Sequence, residues 1–163
     1  MQTFLPFENF KESVHCLDNK RLNKQIVEAF QILTDRVPNK NHPAVLMWAD
    51  YKGFLYEYIM ECCTEYKIRF DKTHSVFNNI NYCSNFYTNL NNNKPFWLSD
   101  TLFHLAHKVN LLRKDYDFYK DKISCYYDLS EYPTGYYWPI TVGAKSKSDT
   151  LNWVNWSKYH NEV

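Results

Sequence analysis

The sequence has little glycine, with three residues in a chain of 163. A Walker loop and a dinucleotide-binding fingerprint each need closely spaced glycines, and neither pattern occurs. Charged residues interrupt the apolar stretches every few positions, so none is long enough to span a bilayer. The N-terminal segment MQTFLPFENF lacks the basic start and apolar run of a secretory signal. These absences exclude the common nucleotide-binding motifs, and we expect a cytoplasmic protein with no membrane partner.

The cysteines and histidines do not form a metal-binding or disulfide pattern. The cysteine count is odd, with no C-x-x-C pair, and we expect reduced and mostly buried thiols at Cys16, Cys62, Cys63, Cys83 and Cys125. The one close histidine pair, His104 and His107, has no third ligand placed nearby. The sequence therefore predicts neither a metal site nor a cofactor.

The residues that are abundant indicate a folded, helical protein. Aromatic residues make up 18% of the chain, far too many for a disordered one. The length is that of one domain, residues 1–163, with a core of its own. Patterning predicts an all-α, compact single-domain helical bundle, with an irregular aromatic-rich excursion over 123–144 near the C-terminus. The predicted helices cover 8–17, 18–35, 43–69, 73–87, 100–114 and 147–160, with a helical turn at 115–120.

The predicted helix over 18–35 separates its residues into two faces. Its apolar face consists of Leu22, Ile26, Ala29, Phe30 and Leu33. The opposite face carries Arg21, Lys24, Glu28, Gln31 and Asp35, with Gln25 at its edge. One interpretation is a solvated face on which Lys24 and Glu28 form an ordinary i,i+4 ion pair. The other is a functional surface that displays two cations and a carboxylate together.

The run LDNKRLNKQIVEAFQIL places Leu17, Leu22 and Glu28 at the spacing of two leucines and an essential glutamate in one long helix. With this spacing the chain resembles the pyrimidine-dimer DNA glycosylases, the family of the phage endonuclease V, in a divergent phage and bacterial branch. The segments MQTFLPF, NHPAVLMW and FHLAHKVNLLRKDYDFY agree with it in order, so that the resemblance spans most of residues 1–140.

The resemblance implies a reaction and two catalytic residues. In this family the α-amino group of the first residue attacks the anomeric carbon of the damaged nucleotide, and a Schiff base follows. The strand then breaks by β-elimination. An α-amine suits this role because a useful fraction of it is neutral near physiological pH. Here the bulky Gln2 should discourage removal of the initiator residue, so the expected nucleophile is the amine of Met1 and the expected catalytic carboxylate is Glu28.

Two positions depart from the phage enzyme. An arginine directly before its glutamate is Val27 here, and another three residues after it is Gln31. These two differences affect the expected specificity for the DNA lesion more than they affect the expected type of reaction. Cyclobutane pyrimidine dimers are the first expected substrate, and another modified pyrimidine is the alternative. A further alternative, from another functional class, is a non-catalytic DNA-binding protein on the same scaffold.

Several polar residues are candidates for contact with double-stranded DNA. Asn41 and His42 lie at a predicted helix N-terminus, where they either bind a phosphate or simply cap the helix. The rings of YYWP at 136–139 and of Trp153 and Trp156 either stack on an unpaired base or pack in the core. The complete set of predicted DNA contacts is Gln2, Arg21, Lys24, Gln25, Gln31, Asn41, His42, His104, His107, Asn110, Arg113 and Lys114.

The charge balance fits this interpretation once it is mapped along the chain. The formal net charge is only +1, which by itself gives no general attraction to nucleic acid. The cations cluster, however, whereas acidic residues such as Glu57, Glu61 and Glu65 fall on another predicted helix. The resemblance, with which this charge distribution agrees, leads us to expect a monomeric DNA repair glycosylase with apurinic-site lyase activity. The high Asn, Lys and Tyr content fits an AT-rich genome and favours a viral source, in which case the protein would act in the host cell.

Overall fold

The computed structural model of the chain describes residues 1–82, 84–88, 90, 93–123, 128–140 and 146–154. The α-helices are α1 (Phe10–Cys16), α2 (Asn19–Leu33), α3 (Pro43–Leu46), α4 (Lys52–Phe70), α5 (Phe77–Tyr82), α6 (Ser84–Thr88), α7 (Thr101–Lys114) and α8 (Tyr116–Ile123). Single 3₁₀ turns lie at Phe96–Ser99 and Leu129–Glu131, and two strands, β1 (Tyr136–Ile140) and β2 (Lys147–Val154), form an antiparallel pair. The predicted mainly helical class is confirmed, but the chain is not all-α.

Helix α2 matches its prediction and supports the centre of the molecule. Asp18 is its N-cap, and the Asp18 side chain accepts a hydrogen bond of 2.9 Å from the backbone N–H of Arg21. The predicted apolar residues Leu22, Ile26, Ala29 and Leu33 are buried, and α2 packs against α4. The opposite face, with its cations and Glu28, is thereby turned away from α4.

The predicted helix over 43–69 is wrong as a single element. The chain forms the short helix α3, a turn at 47–50 and then α4. The turn allows Met47 and Trp48 to enter the core while Ala49 is exposed. The indole of Trp48 donates a hydrogen bond of 2.8 Å to the hydroxyl of Thr3, so the turn also ties this region to the N-terminal segment.

The predicted helix over 147–160 is also wrong, because residues 147–154 form β2. In the hairpin Tyr136 pairs with Val154 and Trp138 with Asn152, and the register is irregular between Trp138 and Ile140. The intervening Pro139 has no N–H to give to a ladder, which accounts for the irregularity. The hairpin packs on α3 and α7. Residues 155–160 of the predicted helix, with Trp156, lie outside the described residues.

Two other boundaries differ from the prediction. The predicted helix over 73–87 is divided into α5 and α6, and the turn predicted at 115–120 is the longer helix α8. The terminal helices at 8–17 and 100–114 are present as α1 and α7, each with a side-chain cap, from Asn9 and Asp100 respectively. Helix α8 matters for the site because its Tyr119 reaches back to the start of α2.

The buried interior accounts for most of the cysteines and several of the aromatic rings. Cys16, Cys62 and Cys63 are free and buried, as predicted, while Cys83 and Cys125 lie outside the described residues. Burial raises the pKa of the Cys16 thiol to about 12, which makes it unreactive. Trp138 is buried as well, which favours the core interpretation for that ring.

No helix in the described part of the chain is long and apolar enough to cross a membrane. Among the same residues, no group of three or more histidine, cysteine, aspartate or glutamate side chains could hold a metal ion.

Arg69, near the end of α4, joins three elements. Its guanidinium donates to the backbone carbonyls of Leu17 and His15 at 2.6 and 2.9 Å, and it also bonds Glu65 on its own helix. The carbonyls belong to the end of α1 and the junction before α2, which have no helical partner of their own. Arg69 therefore fixes the point from which α2 starts.

We expect Arg69→Ala to lower the free energy of unfolding by about 1.5–3 kcal/mol, because charge-assisted bonds to two backbone carbonyls are lost. Urea unfolding followed by circular dichroism would measure the change. The matched control is Arg36→Ala, since Arg36 is exposed and its loss should change stability by no more than about 0.5 kcal/mol. Equal effects of the two variants would contradict the assignment of Arg69 as a structural clamp.

Candidate active site

A cleft of about 620 Å³ opens beside the polar face of α2. It is bounded by the N-terminal segment, by α2, by the α7–α8 junction and by the start of β1. Its lining consists of Met1, Gln2, Phe4, Asp18, Lys20, Arg21, Lys24, Gln25, Glu28, Lys114, Asp115 and Tyr136. Six of these residues belong to the predicted catalytic and DNA-binding set on or before α2, and Lys114 belongs to it from α7.

The α-amino group of Met1 lies 3.6 Å from Oε1 of Glu28. The second oxygen of Glu28, Oε2, accepts a hydrogen bond of 3.1 Å from the backbone N–H of Gln2. Glu28 is only 7% exposed, whereas Lys24, 3.7 Å from Oε1, keeps 66% of its side chain exposed. The predicted ion pair between Lys24 and Glu28 is thus present, but the N-terminal segment makes the closer contact with the carboxylate.

The N-terminal segment is extended, and side chains satisfy its backbone groups. The backbone N–H of Phe4 donates to Oε1 of Gln25 at 2.7 Å, and the backbone oxygen of Phe4 accepts from the Tyr58 hydroxyl at 3.0 Å. Gln25, predicted to contact DNA, is only 1% exposed and instead holds this segment. Gln2 is also buried, and its side-chain oxygen accepts from the N–H of Thr3 at 2.8 Å.

His104 and His107, which the sequence predicts to contact DNA, lie inside the protein, and a DNA contact by either residue stays a prediction. Both are buried, at 8% and 0% exposure. Both nitrogens of His104 and Nδ1 of His107 contact backbone groups of Leu5 and Leu98, whereas Nε2 of His107 is buried without a hydrogen-bond partner among the described residues. Burial, and then the charge of His104, lower the pKa of His107 well below its usual value. The two histidines therefore support the floor of the site.

Arg21 reaches the cleft as part of a small polar cluster with Asp18 and Tyr119. Its guanidinium bonds the Asp18 carboxylate and lies 5.5 Å above the Tyr119 ring. The Tyr119 hydroxyl donates a hydrogen bond of 2.6 Å to Asp18. Burial acts to raise the pKa of Asp18, but the bonds from Tyr119 and Arg21 outweigh it, so the pKa lies below its ordinary value.

Lys114 brings a further cation from the end of α7. Burial lowers its pKa, and the positive charges of Arg21 and Lys24 lower it further. Among the residues that the structure describes, it has no ion pair, although its ammonium lies 5.9 Å from the centre of the Phe4 ring. The cleft is thus lined by four cationic side chains from two helices, those of Lys20, Arg21, Lys24 and Lys114. Such an arrangement attracts an anionic ligand.

The remaining predicted contacts lie elsewhere. His42 caps α3 through a bond of 3.1 Å from the N–H of Ala44, which favours the simple-cap interpretation, and Asn41 is exposed beside it. Gln31 is half-buried and does not line the cleft.

Asn110 and Arg113 hold the chain that leads into the hairpin. They donate hydrogen bonds to backbone carbonyls before β1, including those of Gly135, Pro133, Leu129 and Tyr132. A DNA contact by Asn41, Gln31, Asn110 or Arg113 stays a prediction.

Tyr136 and Tyr119 are site residues that the sequence did not single out. Tyr136 lines the cleft from β1, stacks on Trp138 at 4.9 Å and contacts the Phe4 ring. Burial raises its pKa, so its hydroxyl is neutral. The run YYWP drew attention to this region, but nothing in the sequence distinguished Tyr136 from its neighbours. Tyr119 had no local signal, because its partner Asp18 is 101 positions away.

Residues 1–78 match the family model described as pyrimidine dimer DNA glycosylase. The matched segment, slightly less than half of the chain, is therefore similar to that family. The match confirms the resemblance carried by the α2 run and the N-terminal block. No curated protein and no solved structure matches the chain.

The residues that line the cleft come partly from the matched segment, residues 1–78, and partly from the rest of the chain. The amine of Met1, Glu28, Arg21 and Lys24 all lie within the matched residues. Lys114 and the strand that carries Tyr136 come from the part of the chain beyond them, and so do the two buried histidines. The glycosylase-matched segment therefore brings the central pair of groups, and the rest of the chain completes the walls around it.

The lowered pKa of Asp18 leads to a prediction about pH. A carboxylate with a lowered pKa stabilises the folded state above its unfolded-state pKa, and this contribution is lost as the pH falls through the folded-state pKa. In Asp18→Asn the side chain can still cap α2 but has no charge. We expect the variant to be less stable than wild type at neutral pH, and the difference to shrink as the pH is lowered through the acidic range.

Urea unfolding of both proteins over a series of pH values measures this difference. Comparison at each pH removes the contributions of all other carboxylates, which the two proteins share. A difference that stays constant with pH would contradict a charged role for Asp18.

Proposed function

We propose that this protein is a DNA repair glycosylase that acts on pyrimidine dimers and has associated lyase activity at the resulting abasic site. The α-amino group of Met1 is the nucleophile and Glu28 is the catalytic carboxylate. The observation that carries the proposal is the 3.6 Å separation of these two groups in a cation-lined cleft, within a segment that matches the glycosylase family.

The reaction follows from the chemistry of an amine. The neutral amine attacks C1′ of the damaged nucleotide, a bond forms between nitrogen and C1′, and the bond from C1′ to the base breaks. The base leaves with the electron pair and takes up a proton. Opening of the sugar ring then gives a Schiff base between the amine and C1′. Loss of a proton from C2′ breaks the C3′–O bond by β-elimination and cuts the strand on its 3′ side.

Glu28 is suited to three steps of this sequence. Its carboxylate holds the amine beside the cleft and can accept the proton that the amine loses on attack. Its negative charge stabilises the positive charge that develops on the sugar as the base departs. Because Glu28 is buried, that charge acts in a medium that screens it less than water does.

Binding to the DNA backbone is assigned to the cations around the cleft. Lys24 and Lys114 are exposed at its edge, and Arg21 is held in place by Asp18. Phosphates on either side of a lesion are the anions that such groups position. The ring of Tyr136, on the opposite wall, offers a flat apolar surface to the exposed nucleotide. The protein is proposed to act as a monomer, without a metal or a cofactor, in the cytoplasm.

Trapping with cyanoborohydride tests the nucleophile and the carboxylate together. We expect ultraviolet-irradiated duplex DNA to yield a covalent adduct on the peptide that begins with Met1. Glu28→Gln should slow adduct formation by about 100-fold or more, because an amide cannot accept the proton. The matched control is Glu57→Gln, on α4 and outside the cleft, which should trap at the wild-type rate.

A second variant carries a short uncleaved extension before Met1 and should form no adduct, and intact mass should show Met1 with a free amine in the wild type. An adduct with abasic DNA but none with irradiated DNA would favour another modified pyrimidine as the substrate. Binding without an adduct on either DNA would overturn the proposed enzyme in favour of a non-catalytic DNA-binding protein.

The phosphate-binding role of Lys24 has its own signature. We expect Lys24→Ala to weaken binding to duplex DNA whatever its sequence, and to reduce the slope of log affinity against log salt by about 1. Fluorescence anisotropy at several salt concentrations measures both quantities. The exposed Lys72, on the loop after α4, provides the control Lys72→Ala, and equal slopes for the two variants would contradict the assignment.

A further inference from the structure

Two histidines of α7 contact the backbone of the same residue, Leu5, in the N-terminal segment. The backbone N–H of Leu5 donates to Nδ1 of His107 at 3.4 Å. The backbone oxygen of Leu5 lies 2.8 Å from Nδ1 of His104. The other ring nitrogen of His104, Nε2, lies 2.7 Å from the backbone oxygen of Leu98. Both rings are buried, so bulk water does not replace these contacts.

The identity of these partners restricts which ring nitrogens can carry a proton. A carbonyl oxygen can only accept, so each nitrogen of His104 must donate in order to bond its carbonyl. Only the doubly protonated imidazolium makes both bonds at once. His107 has the opposite requirement, because its Nδ1 accepts from an N–H and must be unprotonated. The pair is therefore one charged and one neutral ring.

We infer that His104 as an imidazolium and His107 as a neutral imidazole together clamp Leu5, and by doing so position the α-amino group of Met1 against Glu28. This assignment rests on the proposed function of that amine. The two histidines are positioning residues, since neither lines the cleft. They act through the extended chain that runs from Leu5 to Met1.

The intervening residues transmit the constraint. Phe4, next to the clamp, is fixed through its N–H by Gln25 and through its oxygen by Tyr58. Thr3 accepts from the indole of Trp48. An extended segment with no sheet partner would otherwise move as a free terminus. These contacts of Thr3, Phe4 and Leu5 fix the path of the backbone, and therefore the position at which Met1 enters the cleft.

The charged groups around the clamp agree with this division of protons. The carboxylate of Glu8 is an acidic group whose charge interacts with that of His104. Its bond with Lys94 lowers the pKa of Glu8 most, and His104 adds to that shift. For His107, burial is the main cause of the lowered pKa, and the neighbouring charge of His104 is the second. One anion thus interacts with the charged ring, and that charge helps to keep its neighbour neutral.

Nuclear magnetic resonance of the wild-type protein tests the proton assignment directly. Long-range correlation of the imidazole nitrogens with ring protons distinguishes the imidazolium from each neutral tautomer. At neutral pH we expect both nitrogens of His104 to be protonated, and only Nε2 of His107. A neutral His104, or a His107 protonated at Nδ1, would overturn the inference without any reference to catalysis.

The variant His104→Gln tests the positioning role. A carboxamide has a donor at one end only, so one of the two carbonyls loses its partner. We expect trapping on abasic DNA to slow by about 10- to 100-fold under single-turnover conditions, because the amine is misplaced. Affinity for the same DNA should be unchanged, since the cations of the cleft are untouched. The matched control is His15→Gln, which replaces a histidine that is exposed on α1.

Circular dichroism first establishes whether the variant is folded. If it is unfolded, the inference is decided by the nuclear magnetic resonance measurement on the wild-type protein. Trapping of His104→Gln at the wild-type rate would overturn the inference. A loss of affinity equal to the loss of rate would overturn it too, as a general structural defect moves both. Failure of the wild-type protein itself to form an adduct at Met1 would instead contradict the proposed function, and is distinguishable for that reason.

Discussion

The structure depends on how the first residues of the chain are held. Buried backbone groups need hydrogen-bond partners, and an extended segment with no neighbouring strand must find them in side chains. Here α2, α4 and α7 each supply such partners, with Gln25, Tyr58 and the two α7 histidines as the main donors and acceptors. These helices are therefore fixed relative to one another by the segment that lies between them. The same bonds bring the α-amino group to the carboxylate of Glu28.

The surface that results is polarised although the chain is nearly neutral. Lys24, Arg21 and Lys114 gather at one cleft, whereas the acidic residues of α4 lie on a different helix. In the formal net charge of +1 the positive and negative residues cancel, so the net charge does not reveal that they lie on different surfaces. Near-neutrality reduces the general attraction to nucleic acid, so binding would depend on the few cations that the fold brings together.

Local signals were sufficient to predict the helix that carries the site. Asp18 provides the cap and the 3.6-residue period of α2 provides the buried stripe, and both act within a few residues of one another. The hairpin of β1 and β2 was missed because its strands are stabilised by each other and by packing on α3 and α7. Tertiary contacts of this kind override the local pattern that predicted a helix over residues 147–160. The break between α3 and α4 has a similar origin in the burial of Trp48.

The amino-acid sequence alone determined the mainly helical class, the position of Glu28 on the polar side of α2, and the similarity of the first part of the chain to the glycosylase family. It also placed Met1 close to Glu28, through resemblance. Only the tertiary structure decided the roles of His104 and His107, because their partner Leu5 is 99 and 102 positions away in the chain. A histidine on a helix has the same local signature whether it faces DNA or the core. Which of these it does depends on the backbone group that the fold places within hydrogen-bond distance of its ring.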